Sequence, residues 1–122
     1  MTESSGAWTK ECSAEWIASV VGTAGYRITG DTKAAWVAEG NGRNFYVWAT
    51  DLTTPVAQIR RREGYEVAGR VDGTWVYDDG TRKFWREDRY LIWIEAARAD
   101  PSAPTVAELR PLILASEELE GP

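Results

Sequence analysis

Three dipeptides constrain this chain more than any other feature: Asn41-Gly42, Asp72-Gly73 and Asp79-Gly80. Each suits a tight hairpin turn, in which the backbone takes positive φ angles that Asn, Asp and Gly tolerate. Each is flanked by short runs that alternate in polarity, the period of a β-strand. Centring a turn on Asn41-Gly42 pairs Ala38 with Phe45, Trp36 with Val47 and Ala34 with Ala49, and these six share a face. The other face then carries Val37 opposite Tyr46 and Ala35 opposite Trp48. Both faces hold large apolar side chains, so both need a cover.

The pattern recurs in "YEVAGRV", "TWVYD", "RKFWR" and "RYLIWIEAA", where Glu87-Asp88 suits a third tight turn after Asp72-Gly73 and Asp79-Gly80. That register sets Trp75, Tyr77, Phe84, Leu91 and Trp93 on one face and Val76, Trp85, Tyr90 and Ile92 on the other. Residues 26–30 add a further strand. Residues 51–64, "DLTTPVAQIRRREG", read as a loop or edge strand, because Pro55 cannot donate to a ladder.

Helices are expected at both ends. From Thr9 the apolar residues fall at helical spacing, with Trp16 and Val20, and Ile17 and Val21, four apart. Cys12 lies one turn before Trp16. Thr9 suits the N-cap, Glu11 the positive end of the dipole, and Gly22 and Gly25 the C-terminus. Residues 1–8 read as a polar, flexible start. Residues 99–105 form a Pro-rich connector. Thr105 and Glu108 suit a capping box, and Pro111 predicts a kink or a short 3₁₀ turn before a helix starting near it. The fold class is therefore α+β: an N-terminal helix packed on an antiparallel meander of about six strands, then a short C-terminal helix. A chain of 122 residues fits one domain, residues 1–122.

Composition excludes more functions than it suggests. There is no histidine, which removes the commonest general base, metal ligand and neutral-pH switch. The single cysteine rules out a disulfide within the chain, and Cys12 reads as a small core residue. "GDTKA" and "GNGR" sit between strands and open no helix, so they are not phosphate loops. Asp78/Asp79 and Glu87/Asp88 read as solvated turn formers. Asp72, Asp78 and Asp79 lack the spacing of a calcium loop. No catalytic residue, metal ligand or cofactor is assigned, and the expectation is a protein that is not an enzyme. A net charge of −5 disfavours nucleic acid. No run reaches the ~20 apolar residues of a membrane span, and no signal peptide is visible. A cytoplasmic chain and a mature exported form both fit.

Seven tryptophans are the most informative signal. Trp16, Trp36 and Trp75 are assigned to the core. Tyr46, Trp48, Trp85 and Tyr90 form the second-face group, for which three covers remain open: the C-terminal helix, a second subunit in a homodimer, or a ligand in a cleft. The C-terminal helix, short and carrying Pro111, is expected to leave part of that group exposed as a binding strip. Arg60, Arg61 and Arg62 are the one dense positive run, placed to flank the strip and receive an acidic group, or else to keep an edge solvated.

The segments "YDDGTRKFWREDRYLIWIEA" and "TVAELRPLILASEEL" resemble the C-terminal half of small uncharacterised bacterial domains in exported proteins and lipoproteins. "GDTKAAWVAEG" and "FYVWAT" are similar to uncharacterised actinobacterial proteins of the same sort. The 11 arginines to 3 lysines accord with a GC-rich bacterial source. The resemblance implies a binding or accessory role, often at the cell envelope, and supplies no catalytic residues. The expected function is a non-catalytic binding or protein-interaction module, accessory or immunity-like. The alternative is a small-ligand carrier with a Trp/Tyr-lined cleft on the sheet.

Overall fold

The computed structural model describes residues 12–97 and 102–119. The first helix, α1 (Ala14–Thr23), starts where the Ser13 hydroxyl accepts a hydrogen bond from the Trp16 amide at 3.1 Å. The cap is therefore Ser13. Cys12 precedes the helix and packs half-buried against the core, off the predicted stripe. The other expected starting residues, Thr9 and Glu11, and the polar segment 1–8 lie outside the described residues. Trp16, Ile17, Val20 and Val21 form the buried stripe, as their spacing predicts.

The sheet has seven antiparallel strands: β1 (Arg27–Asp31), β2 (Trp36–Gly40), β3 (Arg43–Asp51), β4 (Glu66–Val71), β5 (Thr74–Asp78), β6 (Arg82–Glu87) and β7 (Tyr90–Ala96). Asn41 (φ 51°) and Gly42 (φ 75°) turn β2 into β3, with Ala38 opposite Phe45 and Trp36 opposite Val47. Asp72 (φ 48°) and Gly73 (φ 85°) do the same between β4 and β5. The turn between β6 and β7 is Asp88-Arg89, one residue beyond the expected pair, and Glu87 ends β6 opposite Tyr90. Because that shift moves the pairing by two positions, the face of every side chain is unchanged.

The strands do not form one meander. Their order is β1-β2-β3-β7-β6-β5-β4, so two meanders meet at the β3–β7 seam in the middle. The chain must therefore leave β3 at the centre and cross to β4 at the far edge. That crossing is a helix, α2 (Val56–Glu63), where a loop or edge strand was expected. Pro55 has no amide proton to lose at a helix start, and its fixed φ suits one. Its carbonyl accepts from the amides of Gln58 and Ile59. Gly64, at φ 78°, ends the helix in the left-handed conformation. Val56 and Ile59 turn inward, and Arg60, Arg61 and Arg62 fall in the last turn, against the negative end of the dipole.

The last helix, α3 (Arg110–Glu118), follows a 3₁₀ turn over Ala107–Leu109, with Pro111 in its first turn, as expected. The Glu108 carboxylate accepts from the Thr105 amide at 2.9 Å, which is the reaching-back half of a capping box.

Each sheet face has its own core. On the first, Trp36, Phe45, Val47, Val76, Trp85 and Ile92 pack under α1 and α3, against Leu109, Leu112 and Ile113. On the second, Trp48, Phe84, Leu91, Trp93 and Tyr65 pack under α2. The seam fixes this division, because Trp48 sits opposite Trp93 and Ala49 opposite Ile92. Alternation within each strand group is thus as read from the sequence, but the groups join the other way round. Trp85 and Tyr90 belong to the first face, and Tyr46 and Trp48 to the second.

Candidate interaction surface

The α3 helix covers only the first face. The second is covered by the eight residues of α2, which leave its two flanks differently exposed.

On the β1–β2 flank, Tyr46 and Trp48 line a shallow groove of about 280 Å³ with Thr32, Ala34, Ala35 and Glu95. Trp48 is only 3% exposed. It stacks on Trp93 with ring centroids 6.0 Å apart and planes 4° apart, and the Arg82 guanidinium lies 5.8 Å from its centroid. Arg82 is held by Glu95 at 2.8 Å. Trp48 is therefore a structural side chain that offers a groove little more than one edge.

On the β4–β5 flank the cover runs out. Trp75, read from the sequence as core, is 46% exposed. It stands two residues after the Asp72-Gly73 turn on the strand next to the sheet edge, where α2 leaves a gap over it. Val67 is also exposed. The Arg70 guanidinium lies 5.0 Å from the Trp75 ring centroid, and the Arg60 guanidinium 5.1 Å from that of Tyr77. A recess of about 300 Å³ opens between Val56, Thr74, Trp75, Tyr77 and Arg86. Of the sequence-predicted site residues, Arg60 reaches this recess area through Tyr77, while Arg61 and Arg62 are exposed on α2. Trp75, Arg70 and Arg86 were missed. The signal available for Trp75 was its place beside a hairpin tip, where a sheet has fewest neighbours.

Trp85 and Tyr90 do not join either flank. Trp85 is fully buried, and its indole N–H points to the Ser116 hydroxyl at 3.4 Å. Tyr90 packs edge-on to Trp16 at 5.4 Å and donates to the Ser116 carbonyl at 3.0 Å. Burial, with Glu87 and Asp88 beside it, pushes the Tyr90 hydroxyl up to about 12, so it remains a donor. With Trp48 and Trp85 both buried, and on opposite faces, the expected shared strip of exposed aromatics does not exist.

The acidic pairs divide as well. Asp78 and Asp79 are turn formers: Asp78 accepts from the Gly80 amide, and Asp79 from those of Thr81 and Arg82. Glu87 is not solvated. It is 8% exposed and lines an open cleft of about 850 Å³ with Asp51, Asp88, Arg89 and Glu117. Burial pushes its carboxyl up to about 7, and Glu117 adds to this; hydrogen bonds to Ser116 and Trp85 pull the other way. The Ser116 hydroxyl has one proton and two oxygen neighbours, the Ile113 carbonyl at 2.8 Å and Glu87 Oε2 at 3.0 Å. When that proton goes to Ile113, a protonated Glu87 completes the contact by donating to Ser116 Oγ.

Among the described residues, no group of three or more His, Cys, Asp or Glu side chains is placed to hold a metal ion, and no helix is long and apolar enough to cross a membrane. No family model, curated protein or solved structure matches the chain.

Proposed function

We propose that this protein is a non-catalytic protein-interaction module that docks through the β4–β5 flank of its second sheet face. One observation carries the reading: five of the six tryptophans described are at most 7% exposed, and Trp75 is 46% exposed. Tryptophan is among the side chains most enriched at the energetic centres of protein interfaces, where its large apolar ring and N–H both find partners. Tyr77, Val67 and Val56 extend the apolar surface around it, and arginines rim it, the composition of an interface centre with a polar border. An accessory or immunity-like role follows from a module of this kind.

The test is photo-crosslinking in the source cell. A benzophenone amino acid in place of Trp75 is expected to capture a discrete protein, while the same group in place of exposed Thr23 on α1 captures none. Equal labelling from both positions contradicts the reading.

A second reading, a small-ligand carrier, is supported by the groove beside Tyr46 and Trp48, whose lining is largely apolar. Its shallowness and the fixed Arg82–Glu95 pair rank it below the first. Quenching of tryptophan fluorescence by a flat apolar ligand, lost on Tyr46→Ala, would favour it.

A further inference from the structure

We infer that the partner of the Trp75 surface is an acidic polypeptide, one that places an apolar side chain in the recess beside Trp75 and Asp or Glu residues on the arginines around it. This rests on the reading of the protein as an interaction module and adds the chemistry of what it binds.

The first observation is charge segregation. The protein carries a net charge of −5, so carboxylates outnumber cations. Arg27, Arg43, Lys83 and Arg110 each have a carboxylate partner, as does Arg82. Among the described residues, Lys33, Arg60, Arg61, Arg62, Arg70, Arg86 and Arg89 form no ion pair, and three of these, Arg60, Arg70 and Arg86, lie beside Tyr77, beside Trp75 or in the wall of the recess between them. Three such cations gathered around one recess set up a local positive field on a chain of net negative charge. Such a field steers an anionic partner to that flank and repels it elsewhere.

The second observation is how two of these arginines are held. The Arg70 guanidinium lies 5.0 Å from the centre of the Trp75 ring and that of Arg60 5.1 Å from the centre of the Tyr77 ring. The attraction of each cation to its ring holds the side chain near it. Arg70 is exposed, so its N–H groups can grip an arriving carboxylate at two points, while Arg60 Nε is buried. Less side-chain freedom is then lost when a carboxylate arrives. Arg86 lines the recess itself, beside Trp75 and Tyr77. At about 300 Å³ the recess suits one apolar side chain and is small for a drug-sized ligand. At the Tyr65 end the rim is mixed in charge: Asp79 and Glu63 both act to raise the Tyr65 hydroxyl.

Nucleic acid is the competing anion. Its phosphates repeat along an extended backbone, and an acidic protein with one short cationic flank would repel most of a strand. A polypeptide can concentrate its charge in a few residues around an apolar anchor.

The test is selection of random dodecapeptides on the full chain, run in parallel on Trp75→Ala and Arg70→Glu, with circular dichroism confirming that both variants are folded. The expected result is enrichment of peptides rich in Asp and Glu around an aromatic or aliphatic residue. Their affinity should fall at least about tenfold on either substitution and fall with added salt. If the enriched peptides are neutral or basic yet need Trp75, the acidic partner is refuted and the interaction module stands. If enrichment is indifferent to Trp75, or nothing enriches, both fall. Single-stranded oligonucleotides that bind more tightly than the selected peptides, and lose binding on Arg70→Glu, would assign the flank to nucleic acid.

Discussion

The two faces of the sheet are built from similar side chains and closed in different ways. The first lies under α1 and α3, two helices that also touch each other, and its aromatic and aliphatic side chains are almost wholly removed from water. The second lies under α2 alone, a crossover of eight residues of which none is fully buried. Where two helices share a face, the edges are reached. Where one short helix serves, the flanks stay open, and one of them exposes Trp75 and unpaired arginines. An interaction surface here is what an incomplete cover leaves behind, placed by the connection that carries the chain from β3 to β4.

That comparison can be broken at several points. The largest effect is expected on the closed face. Trp85→Ala removes a fully buried side chain and its contact with Ser116, and should cost ~3–5 kcal/mol in urea unfolding; a loss below ~1 kcal/mol would mean that the face is loosely packed.

The next effect comes from Glu87, at the rim of the same face. Its folded pKa is raised from 4.5 to about 7. A raised carboxyl pKa favours folding while the group is protonated, so the contribution is fully present below about pH 4.5 and is lost as pH rises through 7. At about 1.4 kcal/mol per pKa unit the loss is roughly 3 kcal/mol at most. Glu87→Gln keeps a donor for Ser116 Oγ and cannot ionise. It should flatten the fall in stability between pH 4.5 and 7 and be the more stable protein at pH 8, by chemical denaturation. An unchanged pH profile would place Glu87 in water.

A smaller effect is expected on the cover of the second face. Gly64 closes α2 at φ 78° with open space around the position of a Cβ, so Gly64→Val meets only backbone strain. It should cost ~1–2 kcal/mol and raise hydrogen exchange in α2 before it does so in α1. Simultaneous loosening of both helices would mean that the two faces are not independently closed. The smallest effect is at the open flank: Trp75→Ala should cost no more than ~1 kcal/mol, measured by thermal unfolding, because about half of the side chain is already in water.

Much of this was legible in the sequence. Asn41-Gly42 and Asp72-Gly73 set their hairpins, Pro111 sat behind a 3₁₀ turn, and alternation sorted side chains within each strand group. What alternation does not carry is which face of one group continues into which face of the next, since either junction leaves the pattern intact. The β3–β7 seam decides that, and it moved Trp85 and Tyr90 away from Trp48. The α2 helix was hidden because it turns only Val56 and Ile59 inward, too few for a helical period to stand out, and Pro55 reads equally as a strand breaker or a helix start. Trp75 looked like core because its alternation is that of a core strand; its exposure comes from where β5 lies in the sheet.

The most direct test of the uneven cover uses the tryptophans themselves. With 5-fluorotryptophan in the chain, each indole gives a ¹⁹F signal, assigned by single Trp→Phe substitutions. The Trp75 signal should show the solvent isotope shift of an exposed ring and move when a selected acidic peptide is added, while those of Trp36, Trp48, Trp85 and Trp93 stay in place. A response at Trp48 or Trp85 with Trp75 unmoved would contradict the account.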